Sequence, residues 1–112
     1  MKWTKLIKAR KINIPADATG MYRKLWEAAA EEDWADASDI LMNMSDILEG
    51  ASDEPSFTEK QRDIIEEIFL EFEGLTYMVE RGHTEPVLAA REARRLINIL
   101  KRKNIPVVEK FL

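Results

Sequence analysis

The side chains best suited to chemistry in this 112-residue sequence are carboxylates. They recur three apart as Asp36 with Asp39, Asp46 with Glu49, and Asp63 with Glu66. Two carboxylates one helical turn apart can share a divalent cation, because Mg²⁺ takes hard oxygen ligands that converge on a cleft. Each of these pairs points away from its helix's apolar stripe, so a solvated face is expected for them. Glu67 and Glu71 lie nearer the stripe edge and are expected to be partly buried, which makes them the better candidates for metal-assisted hydrolysis. Glu80-Arg81-Gly82-His83 has the Glu-x-x-His spacing that holds iron in helical bundles, but such a site needs that pair twice and further carboxylates. His83 is the only histidine, and Gly82 is expected to end the helix that would align the pair. Nucleophilic catalysis has little to draw on: cysteine is absent and no motif places a serine beside His83. The glycines, Gly20, Gly50, Gly74 and Gly82, are isolated, so no phosphate-cradling loop is formed. The expectation is a protein without enzymatic activity, cofactor or resident metal.

Charge is more informative than any motif. Residues 1–15 carry Lys2, Lys5, Lys8, Arg10 and Lys11 and no acid. Residues 16–82 carry 5 basic and 18 acidic side chains, a net −13, and residues 83–112 carry 7 basic and 3 acidic ones, a net +4. The chain's net charge of −4 conceals this segregation. Basic ends flanking an acidic middle suit either internal complementarity or a charged partner. The apolar fraction of 46% is that of a globular domain and too high for a disordered chain. No stretch of about 18 apolar residues could span a bilayer. The N-terminal segment has no apolar run of signal-peptide type. A cytoplasmic setting is expected.

The elements that would position these groups read as helices. Met21, Tyr22, Leu25 and Ala29 recur at helical spacing, so a helix is predicted over 19–32, capped by Asp17 or Thr19. Trp34, Ala37, Leu41, Met44 and Leu48 form one stripe of a second helix over 34–49, with Asp33 as cap, Gly50 as stop, and Asp36, Asp39, Asn43 and Asp46 on the other face. Residues 50–57 read as a linker. Thr58 with Gln61 has the pattern of a capping box, with Ser56 and Glu59 as an overlapping alternative. Ile65, Ile68, Phe72, Leu75 and Val79 mark a third helix over 59–81, in which Gly74 either weakens the helix or permits close helix packing. A fourth helix is predicted from a Thr84 cap, with Pro86 in its first turn, to about 103; Ala89, Ala90, Ala93, Leu96, Ile97 and Leu100 share one face, and Leu88 and Ile99 fall off it. Residues 1–15 fit a helical face at Trp3, Leu6 and Ile7 or a short strand at Ile12 and Ile14, and residues 104–112 are apolar enough to dock. The fold class is therefore all-α: a single domain of four main helices in two hairpins, 16–49 and 58–103, with tails that either extend or pair.

Three functional readings follow. Asp33-Trp34-Ala35-Asp36-Ala37 resembles the turn of a tetratricopeptide-type hairpin over about 30 residues, in which an aromatic and then an alanine open the second helix, although the Gly and Tyr positions of that repeat's first helix are missing; the resemblance implies a packed helical hairpin. The leading reading is a small helical protein-interaction module, an adaptor or an acidic-surfaced inhibitor such as phages carry against host nucleases. Asp36, Asp39 and Asp46 would supply its charged patch, and Trp26, Leu88 and Ile99 its apolar anchors, since Trp is over-represented among binding hot spots. The partner would be another protein, or a further copy of the chain, and not a membrane. A second reading uses the basic N-terminal segment with Arg91, Arg94, Arg95, Lys101 and Arg102 for nucleic acid. The third is a Mg²⁺-dependent nucleotide hydrolase, since the carboxylate spacing resembles that of the all-α nucleoside triphosphate pyrophosphatases.

Overall fold

The computed structural model describes residues 12–112. They form four α-helices, α1 (Gly20–Ala30), α2 (Trp34–Ser52), α3 (Glu59–Glu80) and α4 (Pro86–Arg102), followed by a short 3-10 helix, Pro106–Lys110. The described residues contain no strand, and the chain is an all-α bundle as expected. Residues 1–11, with most of the basic N-terminal segment, lie outside the described residues. Ile12–Pro15 carry no regular element, and among the described residues no helix is long and apolar enough to cross a membrane.

Local signals set most helix ends. The Asp33 carboxylate accepts the Asp36 N–H at 2.9 Å and starts α2. At the start of α3 the Thr58 hydroxyl accepts the Gln61 N–H at 3.1 Å while the Gln61 side chain accepts the Thr58 N–H at 2.9 Å, a complete capping box. Two expected boundaries move. Gly50 does not stop α2, because nothing crowds it and a further turn buries Ala51. Thr84 does not cap α4: Pro86 at the first helical position forces the residue before it into an extended conformation, so Glu85 takes the cap position without a side-chain bond.

The residues 53–58 make a short connection, so α2 and α3 run antiparallel and pack more extensively than any other pair. Leu41, Met44 and Leu48 of α2 and Ile65, Ile68 and Phe72 of α3 are fully or almost fully buried. Helix α4 packs mainly on α1, and the buried side chains of all four helices form one cluster.

The C-terminal segment completes that cluster. Ile105, Val107, Val108 and Phe111 are buried, and the Phe111 ring meets that of Phe72 at 6.0 Å between centroids. Its backbone does a second job. Thr19 takes the cap position of α1 without a side-chain bond; the Phe111 carbonyl accepts the Tyr22 N–H at 3.1 Å instead. This crossing demands Gly20, which has φ +57°, and a Cβ there would lie 2.7 Å from the Phe111 carbonyl oxygen. Gly20→Ala should therefore cost about 2 kcal/mol or more, from left-handed strain and displacement of the tail. Urea unfolding measures this, and an unchanged midpoint would show that the tail does not rest on α1.

Candidate functional site

An open groove of about 760 Å³ lies where the C-terminal end of α1, the start of α2 and the start of α4 converge. Its apolar lining comes from Trp26 and Ala29 on α1, Trp34 on α2, and Pro86, Val87 and Leu88 on α4. Glu31, Glu32 and Glu85 supply three carboxylates, with Arg91 and Asn13 as the other polar neighbours. Leu88 is 49% exposed here, an uncovered aliphatic side chain beside two indoles. A volume of this size lies in the range of binding clefts.

The turn that shapes the groove is strained. Three helices end in the same motif, in which one residue turns left-handed and two N–H groups fold back onto the last carbonyls. After α3 that residue is Gly82 and after α4 it is Asn104, both suited to the conformation. After α1 it is Glu32, at φ 55°, with the Glu32 N–H on the Ala29 carbonyl at 3.2 Å and the Asp33 N–H on the Ala28 carbonyl at 2.9 Å. A glutamate has no conformational reason to be there, and its position among the groove's carboxylates is the feature that distinguishes it.

Trp26 is only 4% exposed, so it walls the groove and does not protrude as an anchor. Its ring meets Tyr22 edge-on at 6.5 Å, and both the Trp26 Nε1 and the Tyr22 hydroxyl are buried without a hydrogen-bond partner among the described residues. Ile99, the other expected anchor, is half-buried against the core. Asp36, Asp39 and Asp46 are all exposed on α2. Asp36 also lines a second cleft, of about 500 Å³, with Lys24, Glu27, Glu31 and Lys110, between α1, α2 and the C-terminal segment. Trp34 and Val87 join the groove from different helices. Trp34 falls on the α2 stripe and is, as a tryptophan, also a candidate anchor, whereas Val87 belongs to no periodic pattern, so only the convergence of three helices places them together.

The expected burial of Glu67 and Glu71 is not observed: both are exposed. The α3 core row runs through Ile65, Ile68, Phe72, Thr76 and Val79, and α4 packs only lightly on α3, leaving Glu71 open. Glu71 meets the Arg95 guanidinium at 3.1 Å, and Arg95 also donates to Glu92 at 2.7 Å. The hydrogen bond and charge of Glu92, with a smaller contribution from Glu71, hold the Arg95 pKa above its ordinary value. Arg94 donates to Asp17 at 2.8 Å. Part of the basic face of α4 is thus engaged with acids of the acidic middle. Among the described residues no three His, Cys, Asp or Glu side chains come together to hold a metal ion. His83 is exposed in the turn after α3, where Gly82 does end the helix.

Comparison with known proteins gives no match: no family model, no curated protein and no solved structure is significantly similar to the chain. The likeness to a tetratricopeptide hairpin therefore rests on the α1–α2 turn alone. The class defined by the fold is a small all-α bundle.

Two substitutions test this geometry. Glu32→Gly should raise stability by about 1 kcal/mol by relieving the left-handed glutamate. Tyr22→Phe should raise it by a similar amount, about 1 kcal/mol, by removing a buried hydroxyl that has no partner among the described residues. Denaturant midpoints report both, and a loss on Tyr22→Phe would mean that the hydroxyl is satisfied in solution.

Proposed function

We propose that this chain is a small non-enzymatic helical module that binds another protein, seating an apolar and basic segment of that partner in the groove between α1 and α4. The observation that carries this reading is Leu88, half exposed in a concave surface lined by Trp26, Trp34 and Val87 and supplied with the carboxylates of Glu31, Glu32 and Glu85. Aromatic and aliphatic side chains in a cleft provide the affinity of such contacts, and flanking charges select the partner and its orientation. An amphipathic helix with lysines beside its apolar row is the ligand that fits, since grooves of this kind take helices through residues spaced three and four apart. The strained Glu32 fits the same role: it gives up stability to hold a carboxylate at the groove. The exposed Asp36, Asp39 and Asp46 extend the acidic surface along α2 and would attract the same partner at longer range. An adaptor and an inhibitor would both use such a surface.

The test uses a synthetic Leu/Lys amphipathic peptide of about 15 residues, long enough to form a helix, and its Leu/Glu counterpart, with tryptophan fluorescence as the readout. The Leu/Lys peptide should bind and the Leu/Glu peptide should not. Leu88→Glu should abolish binding even though it makes the protein more acidic, whereas simple attraction of unlike charges would strengthen it. Binding that survives Leu88→Glu would sink the groove reading. Replacing Asp36, Asp39 and Asp46 by Asn together should lower affinity more at low salt than at high salt.

A further inference from the structure

A different surface, on α3, is also apolar and exposed. The face of α3 turned away from the core presents Leu70, Tyr77 and Met78, exposed to 55%, 48% and 43%. Gly74 lies between them, is itself exposed, and has nothing within 4 Å of where a Cβ would stand. A glycine there serves no packing within the chain and costs helix propensity. Glu67 and Arg81 flank the stripe, both exposed, and neither enters an ion pair among the described residues. The Arg81 guanidinium instead lies over the Tyr77 ring at 5.2 Å, which holds it on this face.

We propose that this face of α3 binds a second copy of the chain, with the two α3 helices antiparallel and crossing at Gly74. The argument is charge complementarity about that residue. A two-fold axis through Gly74 places residues at equal sequence distance on either side of it opposite one another. Leu70 and Met78, each four positions away, then meet across the axis. Glu67 and Arg81, each seven positions away, meet as opposite charges. A parallel pairing would set Glu67 against Glu67 and Arg81 against Arg81, so the stripe itself selects the antiparallel arrangement. The missing side chain at Gly74 lets the two backbones approach at the crossing point, where a longer residue would hold them apart.

Sedimentation equilibrium over a wide concentration range tests this with the full chain. The expected result is a reversible dimer that Leu70→Glu converts to monomer and that Leu88→Glu, in the separate groove, leaves unchanged. Glu67→Arg and Arg81→Glu alone should each weaken association by about tenfold or more, because each sets like charges against one another. The double variant should recover most of that loss, since the charge pair is restored in reverse. Gly74→Gln should raise the helical stability of the monomer while weakening the dimer, a combination that general destabilisation cannot produce. The chain has no cysteine of its own, so Gly74→Cys offers an independent readout. Under mild oxidation it should form a disulfide-linked dimer faster than Met42→Cys, which places the thiol on an exposed position of α2. A chain that stays monomeric throughout, a dimer indifferent to Leu70→Glu, or a double variant no better than the single ones would overturn the proposal.

Discussion

Phe111 joins two helices that pack little on each other directly. Its ring lies against Phe72 of α3, and its carbonyl accepts the Tyr22 N–H at the beginning of α1. A helix start leaves N–H groups without intrahelical partners, and one buried without a partner is costly. Here the last turn of the chain satisfies one of them and contributes a buried aromatic in the same residue. Gly20 is the counterpart of this arrangement, since only a residue without Cβ lets the Phe111–Leu112 backbone pass so close. With α1 held there, its far end is directed toward α4, and that convergence makes the groove.

The helices were legible because their apolar residues recur with a helical period and because the caps of α2 and α3 are local. Asp33 reaches Asp36, and Thr58 and Gln61 reach each other, within one turn, so short-range pattern suffices. The cap of α1 was not legible, because its acceptor comes from the opposite end of the chain and is a backbone carbonyl, which any residue carries. The stop expected at Gly50 fails because a glycine ends a helix only where the chain must turn left-handed, and here it need not. Of the groove, Leu88 was visible as an apolar residue off its helix's buried face. Trp34 stands out only as a costly aromatic and Val87 not at all, since nothing in a one-dimensional pattern tells which helix ends converge.

The segregated charges receive a partly internal explanation. Arg94 and Arg95 on α4 pair with Asp17 and Glu71, drawing basic residues of the C-terminal part onto acids of the middle, and Arg95 also pairs with Glu92 on its own helix. These pairs are exposed, so they orient elements more than they stabilise them. Their consequence for binding is larger. They use up positive charge on the α4 face that a nucleic acid would need, while Glu31, Glu32, Glu85 and the aspartates of α2 enter no ion pair among the described residues. The charge left over on this part of the surface is therefore acidic, which supports the proposed basic partner over a phosphate backbone.

Two departures from the best local choice remain once packing has been accounted for. Glu32 occupies a conformation suited to glycine or asparagine, although the equivalent turns after α3 and α4 use Gly82 and Asn104. Gly74 sits in an exposed helix interior where almost any other residue would be more stable. Sequences that specify one fold are locally consistent, and the places where they are not mark requirements beyond folding. The two lie on different elements, one beside an acidic groove and the other at the centre of a self-complementary stripe. Neither improves the core, so the cost of each is not offset among the described residues, and the proposed groove contact and the proposed α3 pairing are where compensation would come from.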